Sequence, residues 1–143
     1  MRRRLVEEDL LLWAWRRFES HAEPAFTVGE LRSGQRWSLA KAERVVRRLA
    51  RSKLLAFRAQ GYALTERGRR FTEDLIRRHR LYESYLHDLG YPSDHVHAPA
   101  DRVEHHLSPE TVEALVEATA DPAVDPQGKP IPRVQDDGAK EEK

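Results

Sequence analysis

Apolar residues at Leu5, Val6, Leu10, Leu12, Trp13 and Phe18 keep an approximately helical spacing and predict a first helix that ends near "SHAEP". Thr27 stands as a cap before a short helix over "VGELR", and "SGQRW" reads as a turn. Ser38 caps "LAKAERVVRRLARSKLL". In that helix Leu39, Ala42, Val45, Val46 and Leu49 form one stripe, while Lys41, Arg44, Arg47, Arg48 and Arg51 stay off it. Two short apolar runs, "LLAFRA" and "YAL", flank Gln60-Gly61, which predicts a hairpin with glycine in its turn.

Thr65 caps a long helix, "ERGRRFTEDLIRRHRLYESYLHDLG", stopped by Gly90 and Pro92. A further helix lies within "SDHVHAPADRVEHHL", and Ser108-Pro109 opens another over "ETVEALVEATA". The apolar positions Val103, Leu107, Val112, Leu115 and Val116 exceed what one short helical domain needs to cover itself, which predicts a dimerisation face. "DPAVDPQGKPIP" is too rich in proline and glycine to continue a helix, and the composition of "RVQDDGAKEEK" predicts a disordered tail.

Charge sharpens this picture. The net charge of +1 hides a division: residues 1–78 hold 19 Lys and Arg against 10 Asp and Glu, and residues 79–143 hold 6 against 14. A front half with nine surplus positive charges is suited to a polyanion. Helix, helix, basic helix, hairpin is also the order of a winged helix-turn-helix, whose third helix enters the major groove and whose wing lies along the phosphates. Ser38, Lys41, Arg44, Arg47, Arg48 and, on the wing, Arg58 are the candidate DNA contacts. An ordinary charged face on a helical packing unit is the competing reading.

No apolar run approaches the roughly 20 residues of a membrane span. The start has arginines and an apolar stretch, but interrupting acids and the lack of a small-residue cleavage site speak against a signal peptide. A cytoplasmic protein is expected. With no cysteine, disulfides and thiolate metal sites are excluded.

Six of the seven histidines fall between His79 and His106. His79 and Glu83 are four apart and project from one side of the long helix, and Asp101, Glu104 and His105 stand at i, i+3 and i+4 of the next. With His97, these residues mix imidazole and carboxylate, a set suited to Mn²⁺, Fe²⁺, Co²⁺ or Zn²⁺ and tilted to the harder ions by the lack of sulfur. His21, His87, His95 and His106 are left as ordinary surface or hydrogen-bonded histidines. A hydrolytic site with Glu104 as base is a distant alternative. Neither a partner nucleophile nor a phosphate-binding glycine loop accompanies it, so no enzyme is expected.

From about Asp9 to Pro132 the chain resembles the diphtheria-toxin-repressor family of metal-dependent transcriptional repressors, especially its short manganese-responsive branch. "LTERGRR", "RRHRLYESYL", "HVHAPADRVEHHLSPE" and "DPQGKPIP" carry the resemblance. It implies a mainly α fold: a winged helix-turn-helix with a small β-hairpin wing over 1–70, an all-helical metal-binding and dimerisation domain over 71–132, and a tail over 133–143. The implied partners are a double-stranded DNA operator and a second copy of the chain. The implied metal is Mn²⁺, with Fe²⁺ second. By the same resemblance His79, Glu83, His97, Asp101, Glu104 and His105 match metal ligands, and Asp9 matches the N-terminal aspartate of the manganese branch. Asp101 stands where iron-responsive members have cysteine, and Leu12 stands where the manganese branch has a second acid. "HVHAPADRVEH" also resembles a version of the domain attached to metal ABC-transporter permeases. The chain begins with Met and lacks the permease, which ranks a transporter-associated sensor second.

Overall fold

The computed structural model describes residues 2–21 and 24–133. It is mainly helical, with one two-stranded antiparallel sheet. Two compact units, Met1–Ile76 and Arg77–Lys143, divide the chain within its longest helix.

The first unit holds α1 (Arg2–Ser20), α2 (Val28–Gln35), α3 (Leu39–Arg51), β1 (Leu55–Arg58) and β2 (Gly61–Leu64). α2 starts at a reciprocal cap: the Thr27 hydroxyl accepts from the Glu30 N–H, and the Glu30 carboxylate accepts from the Thr27 N–H. The helix runs on through Gln35, so the turn expected over "SGQRW" is confined to its end, where Arg36 takes a left-handed φ of 54° and the Trp37 N–H reaches the Arg32 carbonyl. α3 buries Ala42, Val45, Val46 and Leu49 on one side. These four pack with Leu10, Leu11, Ala14, Phe26 and Leu31 in the unit's main core. At about 1.5–3 kcal/mol for each large side chain removed from water, this stripe fixes which face of α3 stays outside. α3 ends at Arg51, short of the expected Leu55, because Lys53 turns left-handed at φ 59° and sends Leu54 and Leu55 toward the hairpin.

The hairpin forms where expected, but its glycine has another task. Arg58 pairs with Gly61, so the two-residue loop is Ala59-Gln60, with Ala59 at φ 52°. Gly61 begins β2, and a Cβ there would stand 2.6 Å from the Phe26 carbonyl oxygen. Phe26 adds a one-residue bridge to β2, exchanging both backbone hydrogen bonds with Tyr62 at 2.8 and 2.7 Å. Gly61 is therefore required for close backbone approach.

α4 (Glu66–Asp88) is capped by Thr65, whose hydroxyl accepts from the Gly68 N–H at 2.9 Å. It ends at Asp88, and Gly90 at φ 99° turns the chain away. A 3₁₀ turn (Ser93–His95), α5 (His97–Val103), a second 3₁₀ turn (Glu104–His106) and α6 (Pro109–Ala118) follow, α6 under the Ser108 cap. In the second unit Leu81, Leu107, Val112, Leu115 and Ile131 form the core, with Tyr82, Tyr85, Val103 and Val116 against it. The face expected to drive dimerisation is thus largely used within one copy: Leu107, Val112 and Leu115 are buried without a partner.

The stretch after α6 is ordered without being helical. Val124 and Pro130 form an antiparallel bridge, and the Asp125 carboxylate accepts from the Gln127 and Lys129 N–H groups at 2.9 and 2.8 Å. The buried Arg80 guanidinium donates to the Pro130 carbonyl, so this turn is fastened to α4. The tail expected to be disordered lies, from 134 onward, outside the described residues.

Candidate functional site

α4 supplies His79 and, one turn later, Glu83; both are buried, although they lie on a helix rich in arginine. α5 is short and anchored by Val96 and Ala100, each fully buried, with Pro99 in its first turn where a missing N–H costs little. That anchoring carries His97, Asp101 and, in the following 3₁₀ turn, Glu104 to the side chains of α4. Two donor groups result, each with ligand atoms within 4.8 Å of one another: His79, Glu83 and His97, and His79, Asp101 and Glu104.

His79 belongs to both. Its Nδ1 lies 2.5 Å from Glu104 Oε2 and 3.4 Å from Asp101 Oδ1. Its Nε2 faces Glu83 Oε1 and lies 3.1 Å from His97 Nδ1. His97 closes the ring of contacts, with Nδ1 3.3 Å from Glu83 and Nε2 3.2 Å from Asp101 Oδ2. Glu83 and Glu104 are buried, whereas the Asp101 and His97 side chains are 43% and 55% exposed. The set is walled by the helices on one side and open on the other.

Electrostatics follow from this placement. Burial alone would push the His79 imidazole down, but hydrogen bonds and charge from Glu104 and Glu83 prevail and raise it from 6.5 to about 9. Glu83 shows the converse: burial pushes it up, and the His79 contact, with His97 behind it, brings it below the usual carboxylate range. The set brings three carboxyl groups and two imidazoles together. Nitrogen and oxygen donors in that balance fit a divalent transition ion.

Of the seven expected ligands, five are brought together. His105, with a nearly buried side chain, lies beside them with Nε2 3.4 Å from Glu104 Oε1, in neither donor group. Asp9 is exposed on α1 in the first unit and is also in neither group. Leu12 is 3% exposed and packs with Trp15, Leu75 and Ile76, so it serves the core of the first unit.

The expected DNA contacts all lie in the first unit, but their side chains differ in freedom. Arg44, Arg47 and Arg58 are exposed. Arg48 Nε donates to Glu7 at 2.7 Å and ties α3 to α1. Lys41 Nζ sits 4.5 Å from the centre of the Trp37 ring, and Ser38 is the cap of α3, accepting from the Lys41 N–H. Glu43, an exposed acid on the same face, stands four residues before Arg47 and pairs with it.

Comparison with known proteins bears on both units. Residues 65–133 match the family described as iron dependent repressor, metal binding and dimerisation domain. The chain is similar to the iron-dependent repressor IdeR of Mycobacterium tuberculosis strain H37Rv, 43% identical over 70 residues, which is 48% of this chain and 30% of that protein. It is also similar to a probable metal transport system membrane protein of Chlamydia trachomatis, 34% identical over 86 residues, 59% of this chain and 19% of that one. The fold matches a solved manganese-dependent transcriptional repressor in complex with manganese, with a TM-score of 0.80 and 30% identity over 90% of this chain and 59% of that one. The chain therefore spans only part of the relatives it matches. Residues 65–133, just under half of the chain, are therefore similar to the iron dependent repressor metal binding and dimerisation domain family, and the donor groups on α4 and α5 lie within them.

Proposed function

We propose that this chain is a metal-activated transcriptional repressor of the cytoplasm, acting on metal-homeostasis genes as a homodimer on double-stranded DNA, with Mn²⁺ as activating ion and Fe²⁺ second. The observation that carries this reading is the convergence of His79, Glu83, His97, Asp101 and Glu104 in a chain whose α3 presents a basic outward face. A bound ion supplies a fixed divalent charge that the three carboxylates lack. His79 would hold it either with Glu83 and His97 or with Asp101 and Glu104, with His105 beside them. The resemblance in sequence adds Asp9 from α1 as a further ligand, which would couple the ion to the DNA-binding segment. Such coupling is typically about 1–3 kcal/mol, or 5- to 150-fold in DNA affinity.

Arg44, Arg47 and Arg58 would carry the phosphate contacts, with Ser38, Lys41 and Arg48 setting and holding α3. The relatives' names describe transcriptional regulators and support a binding role over catalysis. A second reading, a regulatory domain associated with a metal transporter, is favoured by the likeness to the chlamydial membrane protein. No helix among the described residues is long and apolar enough to cross a membrane. Fluorescence anisotropy with duplex DNA from upstream of the chain's own gene, with and without Mn²⁺, tests the choice. Tighter binding with Mn²⁺ is expected; binding absent under both conditions would leave the transporter-associated reading.

A further inference from the structure

α3 carries one acid, Glu43, among five cations, Lys41, Arg44, Arg47, Arg48 and Arg51. With Ala42, Val45, Val46 and Leu49 turned into the core, Glu43 stands outward, its side chain 47% exposed. Leu39 and Ala40, one turn before it, and Arg47, one turn after, are exposed beside it. An acid at this place repels phosphates and so opposes the function proposed for the face that bears it. Its ion pair with Arg47 is a weak reason for its presence: the charges are 3.8 Å apart and both side chains are open to solvent.

Base edges offer a different partner. In the major groove the cytosine N4 amine is a donor that carboxylates accept from, while the other edges chiefly call for Arg, Lys, Asn or Gln. Glu43 also borders an open groove lined by Val28, Val46, Arg47 and Tyr62, and its carboxylate is open to solvent. Arg47 is positioned to shield it, with Nε 3.4 Å from the Glu43 carbonyl and the guanidinium beside the carboxylate.

We propose that Glu43 reads a cytosine in each half-site, accepting a hydrogen bond from the N4 amine while Arg47 screens its carboxylate from flanking phosphates. This specificity rests on the DNA-binding function proposed above. The test is binding-site selection from randomised duplexes in Mn²⁺, using the whole chain as parent, E43Q and E43A. The parent should enrich cytosine at one fixed position per half-site. E43Q should shift that position toward adenine, whose N6 and N7 suit an amide, and E43A should accept any base there, with the other positions unchanged. Competition between the parent's best site and its variant at that position should show discrimination falling roughly 5- to 150-fold in E43A. Because Glu43 is a surface residue, both variants should melt with the parent. If all three proteins select the same sites with the same preferences, the assignment of Glu43 is overturned and DNA binding stands. If the parent selects no sequence at all, the proposed function falls and the cytosine contact with it.

Discussion

His79 and Glu104, 25 residues apart in sequence, meet as Nδ1 and Oε2 at 2.5 Å with both side chains buried. In the metal-free protein this contact and the one to Glu83 keep a proton on the imidazole up to about pH 9. Its folded value lies above the ordinary 6.5, so its contribution to stability is complete below pH 6.5 and is lost as pH rises through about 9. The melting temperature of chelator-treated protein should therefore fall over this window, and the fall should be smaller in His79→Gln. An identical pH profile for the two proteins would refute the assignment.

The same proton competes with a metal. Mn²⁺ binding at pH 7 should release about one proton per ion through His79, and affinity should rise with pH toward 9. Calorimetric titrations in two buffers of different ionisation enthalpy read the proton directly. Equal apparent enthalpies would show that none leaves.

Glu104→Ala removes a buried acceptor and leaves the His79 N–H facing no carboxylate from that turn. The expected cost is about 1–3 kcal/mol of metal-free stability, together with loss of Mn²⁺ affinity. Glu104→Gln, which keeps an oxygen at the position, should recover stability more than metal binding. Denaturant melts paired with metal titrations separate the two effects; unchanged metal affinity in both variants would exclude Glu104 as a ligand.

Leu12→Glu places a carboxylate in the apolar cluster of Trp15, Leu75 and Ile76. A buried charge without a partner costs roughly 3–5 kcal/mol, so this change should unfold the first unit or lower its melting point sharply. A variant that kept parental stability and bound Mn²⁺ more tightly would show that the position can act as a ligand site.

Neighbouring residues of the hairpin should respond with opposite signs. Gly61→Ala drives a Cβ against the Phe26 carbonyl and should cost about 1–3 kcal/mol. Ala59→Gly relieves a left-handed alanine at φ 52°, a gain of up to about 1 kcal/mol after the added freedom of the unfolded chain is counted. Chemical denaturation of the two variants checks both; equal shifts would contradict the division of roles between loop and strand.

The elements were legible in the sequence wherever local chemistry determines them. Thr27, Ser38, Thr65 and Ser108 announce their helices, and four of the five stripe residues, Ala42, Val45, Val46 and Leu49, mark the buried side of α3, whereas Leu39 at its first position is exposed. The donors at four-residue spacing on α4 and along α5 showed which side chains share a face. What local pattern could not show was long-range. Gly61 looks like a turn residue until Phe26, 35 positions earlier, comes to lie against it. Val112 and Leu115 look like surplus apolar surface until Leu81 and Ile131 cover them. Arg48 reads as one more phosphate contact until Glu7 takes its guanidinium.

The doubled engagement of His79 couples its two donor groups. A neutral imidazole has one lone pair to give, because its other nitrogen keeps the hydrogen. Nδ1 faces Asp101 and Glu104 while Nε2 faces Glu83 and His97, so an ion taken by one group leaves an N–H pointed at the other. The second group then works as an acceptor that holds the ring in place. The two groups are alternatives with a single arbiter, the tautomer of His79.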